Sequence, residues 1–207
     1  MSGHRTLAIG ASRKARLKVQ ADLGADIIAL QGRGPISRNG DVEYPFRQHS
    51  DFLYLTGCSL EGAKLLLTAK RDTLFIPKID QNHQVWLGGA ITIEEAKTQF
   101  GFDDIQWTED FNDALKALGG NASKLHISSS LSGLATRLCP MTPRIPWKAD
   151  RRLASQRVIK SSEEIDLLRL ASEATGETHR KIMSYAKPGM EEWQIRDAFT
   201  RSLQEQG

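Results

Sequence analysis

The sequence predicts an α/β fold, a three-layer domain in which a mixed sheet lies between helices. Short apolar runs of strand length are separated by turn residues and alternate with segments of strong helix formers. Capping signals stand at the starts of two of these helical segments. The chain has 207 residues, 40% of them apolar, and can therefore bury one full core and carry an appendage.

The first elements are predicted from helix formers and turn residues. Residues 11–23 are rich in Lys, Arg, Ala and Leu and end before Gly24, which predicts a helix. The apolar run after it predicts a short buried strand over residues 26–31. Three glycines and a proline predict a loop over residues 32–40, which places residues 41–51 at the far end of the first strand.

Further strands and helices follow in mixed order. Apolar runs bounded by turn residues predict strands over residues 52–55, 63–68, 73–76, 84–87 and 125–128. Thr92 stands three residues before Glu95, the spacing of a capping box, and predicts the start of a helix. Another helix is predicted over residues 110–118, because this segment ends at a glycine pair.

The last quarter of the sequence predicts a second region. Three prolines stiffen the chain and mark a domain boundary, namely Pro140, Pro143 and Pro146. Ser161 and Glu164 form a capping-box pair at the start of an amphipathic helix, and residues 187–189 separate it from a second helix. We therefore expect one domain over residues 1–150 and the start of another over residues 151–207. Two such helices without a covering sheet would expose their apolar faces.

Composition and charge exclude several classes of protein. The chain has 28 Lys and Arg against 25 Asp and Glu, a net charge of +3. The basic residues are spread along the chain and form no basic stripe of the kind that binds nucleic acid. The amino terminus lacks the apolar core of a secretory signal, and no apolar stretch reaches the length of a membrane span. Cys58 and Cys139 match no metal or redox spacing, so we expect two reduced thiols in a cytoplasmic protein.

The sequence shows no group of side chains with the spacing of a metal site or of an activated nucleophile. Its five histidines are scattered singly: His4, His49, His83, His126 and His179. The serines at 128–130 lack the setting of a nucleophilic serine and predict a polar turn after a strand. The glycines at 32, 34, 88 and 89 lack the spacing of a phosphate loop and also predict turns. No catalytic residue and no metal ligand is therefore predicted in this chain.

Residues 47–51 are the densest group of functional side-chain types. His49 and Asp51 could share a strand face as a carboxylate-oriented imidazole, but without a nucleophile or third ligand a structural hydrogen bond between them is favoured. Arg47 could hold a carboxylate in a two-point grip. A buried ion pair of Arg47 with Glu43 or Asp51 is favoured over that ligand contact.

The most specific segment is the run from Glu43 to Gly57, which combines Pro, Arg, His and Asp with several aromatic residues. It resembles the amino-terminal domain of the X-Pro aminopeptidases, the aminopeptidase P group of the creatinase and prolidase superfamily. Residues 159–170 and 187–190 resemble the first two helices of that family's catalytic domain, which has the pita-bread fold. The resemblance covers nearly the whole chain and implies a three-layer α/β domain, followed by two helices of an incomplete pita-bread domain.

The resemblance also implies roles for particular residues. The family's structural motif falls on Glu43, Tyr44, Pro45, His49 and Asp51. In the family an amino-terminal domain can lean over a neighbouring subunit's active site, and the positions matching its substrate entrance are Asp41 and Trp86, to which we add Arg47. The family's catalytic domain holds two manganese ions with two Asp, one His and two Glu. This chain lacks that set, so manganese is implied for the full-length enzyme alone.

Three hypotheses of function follow from these observations. The preferred one is a non-catalytic amino-terminal portion of an X-Pro aminopeptidase, which shapes the substrate entrance for proline-containing peptides and joins a homo-oligomer or a missing catalytic domain. The second is a self-sufficient enzyme that uses Arg47, His49 and Asp51. The third is a naturally short, non-catalytic module that binds a partner through the helices between Ile165 and Leu203.

Overall fold

The computed structural model describes residues 2–78, 91–147 and 151–206. By their contacts they divide into a larger unit, Ile9–Ile159, and a smaller unit formed by Lys160–Gly207 with Met1–Ala8. The strands are β1 Ile27–Gln31, β2 Ser37–Asn39, β3 Val42–Glu43, β4 Lys64–Leu67, β5 Asp72–Ile76, β6 Asp104–Trp107, β7 Leu125–Ile127 and β8 Arg144–Pro146. The helices are α1 Ser2–Ala21, α2 Ser50–Thr56, α3 Ile93–Phe100, α4 Phe111–Gly119, α5 Ser132–Leu138, α6 Arg151–Val158, α7 Ser162–Tyr185 and α8 Glu192–Glu205.

Six of the strands form one mixed sheet in the order β6-β5-β4-β1-β7-β8. Strand β4 pairs antiparallel with both β1 and β5, whereas β6, β7 and β8 pair parallel with their inner neighbours. Five strands therefore point the same way, and their carboxyl ends meet at one edge of the sheet. Loops at such an edge are where α/β folds place their binding sites.

The alternation of side chains along each strand divides the core into two clusters, one on each face of the sheet. On strand β1, Ile28 and Leu30 join the cluster that also contains buried residues of helices α1, α2, α3 and α6. Ile27 and Ala29 join the opposite cluster, which contains buried residues of helices α4 and α5. Helices thus cover both faces, and the predicted three-layer α/β fold with a mixed sheet is confirmed.

A buried arginine joins helix α1 to three other elements on the first of these faces. The side chain of Arg16 is 2% exposed, and its Nε donates to Asp72 Oδ2 at 2.5 Å. Its Nη1 donates to the Leu55 carbonyl at 2.8 Å and its Nη2 to the Gly101 carbonyl at 3.0 Å, while the guanidinium lies 3.7 Å from the Phe102 ring centroid. Burial lowers the pKa of Arg16, against the opposing effect of Asp72. This contact fixes the end of helix α2, which carries the second half of the Glu43–Gly57 run.

Several predicted elements are confirmed where they were expected. Strands β1, β4 and β7 fall within the predicted apolar runs, and β5 begins one residue before its predicted run. Helix α3 begins with the predicted capping box, in which the Thr92 hydroxyl accepts from the Glu95 amide and the Glu95 carboxylate accepts from the Thr92 amide. The strand predicted over residues 84–87 lies outside the described residues. Strands β6 and β8 and helices α5 and α6 were not predicted.

The strand predicted over residues 52–55 is wrong, because these residues form helix α2. Phe52 and Leu55, three residues apart, both lie in the core, which is the spacing of a helix face. Gly57 ends the helix at a φ of +63°, and its amide donates to the Leu53 carbonyl. A four-residue apolar run cannot separate a strand from a helix by its period.

The loop predicted over residues 32–40 is also corrected, because its second half contributes to a small hairpin. Strands β2 and β3 pair antiparallel, and Gly40 turns between them at a φ of +54°. Gly40 and Asp41 form the two-residue turn, and glycine is common at the first position of such hairpin turns, since it reaches positive φ without strain. The hairpin is exposed along its whole length.

The smaller unit contains the two predicted helices, α7 and α8. Helix α7 begins with the predicted capping box between Ser161 and Glu164. Between the helices the buried Thr178 and Ser202 hydroxyls lie 3.1 Å apart, and Gln206 Nε2 donates to Thr178 Oγ1 at 2.9 Å. Large apolar side chains of these helices remain exposed, among them Leu168, Met183 and Trp193. The expected exposure of apolar surface is therefore present within this unit.

Candidate functional site

The Glu43–Gly57 run is divided between a mostly exposed first half and a second half that carries buried anchor residues. Glu43 lies on the exposed strand β3, and Tyr44, Pro45 and Arg47 are exposed after it. From Gln48 onward the run turns inward and continues as helix α2. The second half therefore anchors the segment, while the first half stays accessible to another molecule.

The side chain of Gln48 holds the run against the loop after strand β1. Its Oε1 accepts from the Arg33 amide at 2.6 Å and from the His49 amide at 2.9 Å, and its Nε2 donates to the Leu60 carbonyl at 3.0 Å. Gly32 packs directly against it, since a Cβ on Gly32 would stand 2.8 Å from Gln48 Nε2. Glycine at position 32 is what allows this close approach.

Asp51 is the second buried anchor, and its partners differ from the one expected. Its Oδ1 accepts from Arg157 Nη1 at 2.8 Å, and its Oδ2 accepts from Trp147 Nε1 at 3.2 Å. The favoured interpretation of a hydrogen bond between His49 and Asp51 is thus corrected. His49 is exposed at the start of helix α2, whereas Asp51 points to partners that lie about a hundred residues later in the chain.

The substrate-entrance candidates lie on the exposed half. Asp41 is exposed in the turn of the β2–β3 hairpin, and Arg47 is exposed between the hairpin and helix α2. The buried ion pair favoured for Arg47 is corrected, because Glu43 is exposed and Asp51 is paired with Arg157. Trp86 lies outside the described residues.

A cleft of about 270 Å³ opens beside this segment, at the carboxyl edge of the sheet. The described residues that line it are Leu30, Gln31, Gly32, Arg33, Gly34, His49, Phe52, Ser128, Ser129, Ser130 and Trp147. They come from the end of strand β1, from the loops after strands β1, β7 and β8, and from the start of helix α2. The sequence predicted turns at residues 32–34 and 128–130 but not that they face each other. One pattern in the sequence could have indicated this: each turn directly follows an apolar run typical of a buried strand, and such turns can meet at the same edge of a sheet.

Metal binding and thiol chemistry depend on how the His, Cys, Asp and Glu side chains are grouped and buried. Among the side chains that the structure describes, within residues 7–78, 91–147 and 153–206, no group of three or more His, Cys, Asp or Glu has an arrangement that could hold a metal ion. Cys58 and Cys139 are free and buried, and burial raises the pKa of the Cys58 thiol to about 12. None of the helices that the structure describes is long and apolar enough to cross a bilayer.

Comparisons of sequence place the chain beside known peptidases. The family model for the aminopeptidase P N-terminal domain matches residues 11–127. A probable Xaa-Pro aminopeptidase pepP of Talaromyces marneffei is 30% identical over 176 residues, which cover 82% of this chain and 37% of that protein. A probable Xaa-Pro aminopeptidase PEPP of Blastomyces gilchristii is 29% identical over 207 residues, or 93% of this chain and 42% of that protein. The chain thus spans about two fifths of the length of these relatives.

Comparisons of structure show the same fold in solved proteins. A zinc-substituted aminopeptidase P of E. coli, in complex with product, superposes with a TM-score of 0.82 at 22% identity. The superposition covers 96% of this chain and 50% of that one. The aminopeptidase PepP of Pseudomonas aeruginosa gives a TM-score of 0.82 at 24% identity, covering 96% and 49%.

Proposed function

The chain belongs to the family defined by the aminopeptidase P N-terminal domain, and on this premise we propose that it forms the amino-terminal part of an X-Pro aminopeptidase. The activity proposed for the whole enzyme is the release of an amino-terminal residue that precedes proline. Residues 1–150 form the amino-terminal domain in this proposal, and residues 151–207 begin a pita-bread catalytic domain. The two buried, free thiols support a cytoplasmic location.

The observation that carries the proposal is the family match over residues 11–127, which includes the whole Glu43–Gly57 run. The division of that run supports a role beyond folding. Gln48 and Asp51 fasten it to the larger unit through hydrogen bonds, and the exposed Arg47 and Asp41 stand before these anchors. An exposed polar segment on a rigid support is suited to positioning a peptide.

The proposed role of this chain is to shape the substrate entrance and to take part in oligomer contacts. Arg47 would bind a peptide carboxylate or carbonyl, and Asp41 a peptide amine, because each presents the complementary charge. The described residues do not fit a dinuclear metal site. The two manganese ions of the family, which activate water for attack on a peptide carbonyl, are therefore assigned to the rest of the enzyme.

The most direct test is to sequence the source DNA beyond the Gly207 codon. A frame that continues into a region with two Asp, one His and two Glu in the family's arrangement would support the proposal. A stop codon at that point would contradict it, because no catalytic domain would then accompany this chain.

A second test measures the entrance role in the longer enzyme. We expect Asp41→Asn and Arg47→Gln each to lower kcat/KM for an X-Pro peptide about tenfold, which corresponds to one charge-assisted hydrogen bond. Arg137→Gln is the matched control, because Arg137 is an exposed arginine on helix α5. Unchanged kcat/KM in both variants would remove these residues from the entrance.

A naturally short, partner-binding module is the second candidate function. The exposed apolar side chains of helices α7 and α8, including Leu168, Met183 and Trp193, favour it. Size-exclusion chromatography with light scattering on the 207-residue chain tests it, since a module of this kind should self-associate or capture a larger protein. A monomer that binds neither itself nor a separate aminopeptidase catalytic domain would argue against it.

The self-sufficient enzyme remains the least supported hypothesis. Asp51 is already paired with Arg157 and Trp147, so it does not orient His49. The purified chain should therefore release no amino-terminal residue from an X-Pro peptide, with or without added manganese. Cleavage that disappears in His49→Ala would restore this hypothesis.

A further inference from the structure

The cleft lies between two neighbouring parallel strands whose onward connections run to opposite sides of the sheet. From strand β1 the chain leads to β4 on one side, and from the neighbouring parallel strand β7 it leads to β8 on the other. The loops after β1 and β7 therefore separate and leave a crevice between them. In open α/β sheets, the crevice at such a switch point beyond the carboxyl ends of the strands is the usual place for a ligand.

The first wall of the cleft is held rigidly by backbone hydrogen bonds. The Gly32 amide donates to the Ala63 carbonyl at 2.7 Å, and the Arg33 amide donates to Gln48 Oε1 at 2.6 Å. The Arg33 carbonyl accepts from the Gly62 amide at 3.0 Å. The backbone at Arg33 is thus fixed on both sides, although its side chain is exposed.

The opposite walls are fixed in the same way. The Ser128 amide donates to the Ala29 carbonyl, and Ser128 Oγ accepts from the Gln31 amide at 3.2 Å and lies 3.2 Å from Ser130 Oγ. The Trp147 amide donates to the Ile127 carbonyl at 2.6 Å, and its indole is held by Asp51. A cleft with fixed walls does not need to reorganise when a ligand binds, which lowers the cost of binding.

The charges around the cleft favour a ligand that carries one negative charge. Among the described lining residues Arg33 alone is a permanent cation, and no described acidic side chain forms an ion pair with it. Asp51, the buried carboxylate that accepts from the Trp147 indole, is already compensated by Arg157. Serine hydroxyls stand on the other side, while Leu30, Phe52 and Trp147 supply apolar surface.

We propose that this cleft is a binding site for a small organic carboxylate, with Arg33 and the serines at 128–130 around the carboxylate and Trp147 against its apolar part. A guanidinium matches a carboxylate in a two-point contact, whereas a phosphate dianion would call for more than one cation. The volume of about 270 Å³ is close to the lower limit of ligand pockets and suits a molecule the size of an acylated amino acid. This inference is independent of the proposed peptidase function.

The test is a titration of the ¹⁵N-labelled 207-residue chain by NMR. The probe is N-acetylglycine, and its neutral amide, N-acetylglycinamide, is the matched control ligand. We expect saturable shifts of the amides of Gln31, Arg33 and residues 128–130 with the acid and none with the amide. Arg33→Gln should raise the Kd about tenfold or more, the effect of one charge-assisted contact, while Arg137→Gln leaves it unchanged.

Other outcomes would overturn the proposal. Equal shifts with the amide would show that the carboxylate is not recognised, and tighter binding of inorganic phosphate would assign the cleft to a different anion. Shifts that do not saturate, or a Kd that is unchanged in Arg33→Gln, would mean non-specific binding only. Because Arg33 is exposed, its substitution should leave the fold intact, and the amide spectrum of the variant checks this directly.

Discussion

The free energy of unfolding should depend strongly on Arg16. Replacing it with Met keeps an unbranched side chain but removes the charge, three hydrogen bonds and the contact with Phe102. Removing one partner of a buried ion pair typically costs about 3–5 kcal/mol. Asp72 is 26% exposed and can recover part of its hydration, so we expect Arg16→Met to lose about 3 kcal/mol, at the lower end of that range.

Urea unfolding followed by tryptophan fluorescence measures this loss, because Trp107 and Trp147 are half-buried in the larger unit. Arg16→Lys keeps the charge but not the three-way fork, and should fall between the wild-type chain and Arg16→Met. Arg13→Met is the matched control, since Arg13 is an exposed arginine on the same helix. Its free energy of unfolding should change by less than about 0.5 kcal/mol.

A double-mutant cycle with Asp72→Asn separates the ion pair from simple loss of packing. The two substitutions together should cost less than the sum of the single ones, with a coupling of about 1–3 kcal/mol. Additive losses, or a loss below about 1 kcal/mol in Arg16→Met, would refute the argument that the pair holds helix α1 to strand β5.

Three further predictions concern the larger unit. Gly101→Ala should lower the free energy of unfolding by about 2–4 kcal/mol, as measured by urea unfolding. The reason is that Gly101 has a φ of +66° and a Cβ there would stand 2.3 Å from a side-chain atom of helix α1. Asp51→Asn should lower the free energy of unfolding by about 1.5–3 kcal/mol, measured in the same way, because it weakens the contacts of Asp51 with Arg157 and Trp147. The free energy of unfolding should fall above about pH 9, and Cys58 should contribute up to about 1.4 kcal/mol per pH unit. The reason is that its thiol keeps its proton in the folded chain and releases it when the chain unfolds. Urea unfolding at several pH values measures this slope.

Each of these predictions has its own control. Gly40→Ala shares the positive φ of Gly101 but meets open space, so it should lose only about 1–2 kcal/mol, and an equal loss in both variants would rule out the steric overlap. The exposed Asp113→Asn should be nearly neutral, and a loss equal to that of Asp51→Asn would remove the special role of Asp51. Cys58→Ala should flatten the pH dependence above pH 9; an unchanged slope would exclude Cys58 as its source.

The sequence predicted the fold better than the local form of the candidate site. Strands β4 and β5 are bounded by turns and buried on both faces, so their apolar runs identify them without knowledge of their neighbours. Residues 52–55 form an equally apolar run, yet their state depends on the αL turn at Gly57 and on packing beneath Arg16. Tertiary contacts of this kind override a short apolar pattern.

The sequence could not predict which residues contact Asp51 or line the cleft, because those contacts are also tertiary. Asp51 and Arg157 are 106 residues apart, and Asp51 and Trp147 are 96 apart. Local spacing led to His49 as the partner because that residue is two positions away. The cleft likewise combines three loops that meet only when strands β1, β7 and β8 lie side by side.

The central position of strand β1 has a consequence for how the chain folds during its synthesis. Strand β1 begins at Ile27 but receives its parallel partner β7 only at Leu125, so the ribosome must produce the intervening segment before that edge is covered. Until then β1 presents unpaired amides and carbonyls to other nascent chains. A ribosome that pauses between these strands would thus expose an aggregation-prone intermediate, and chaperones should bind the nascent chain over that interval.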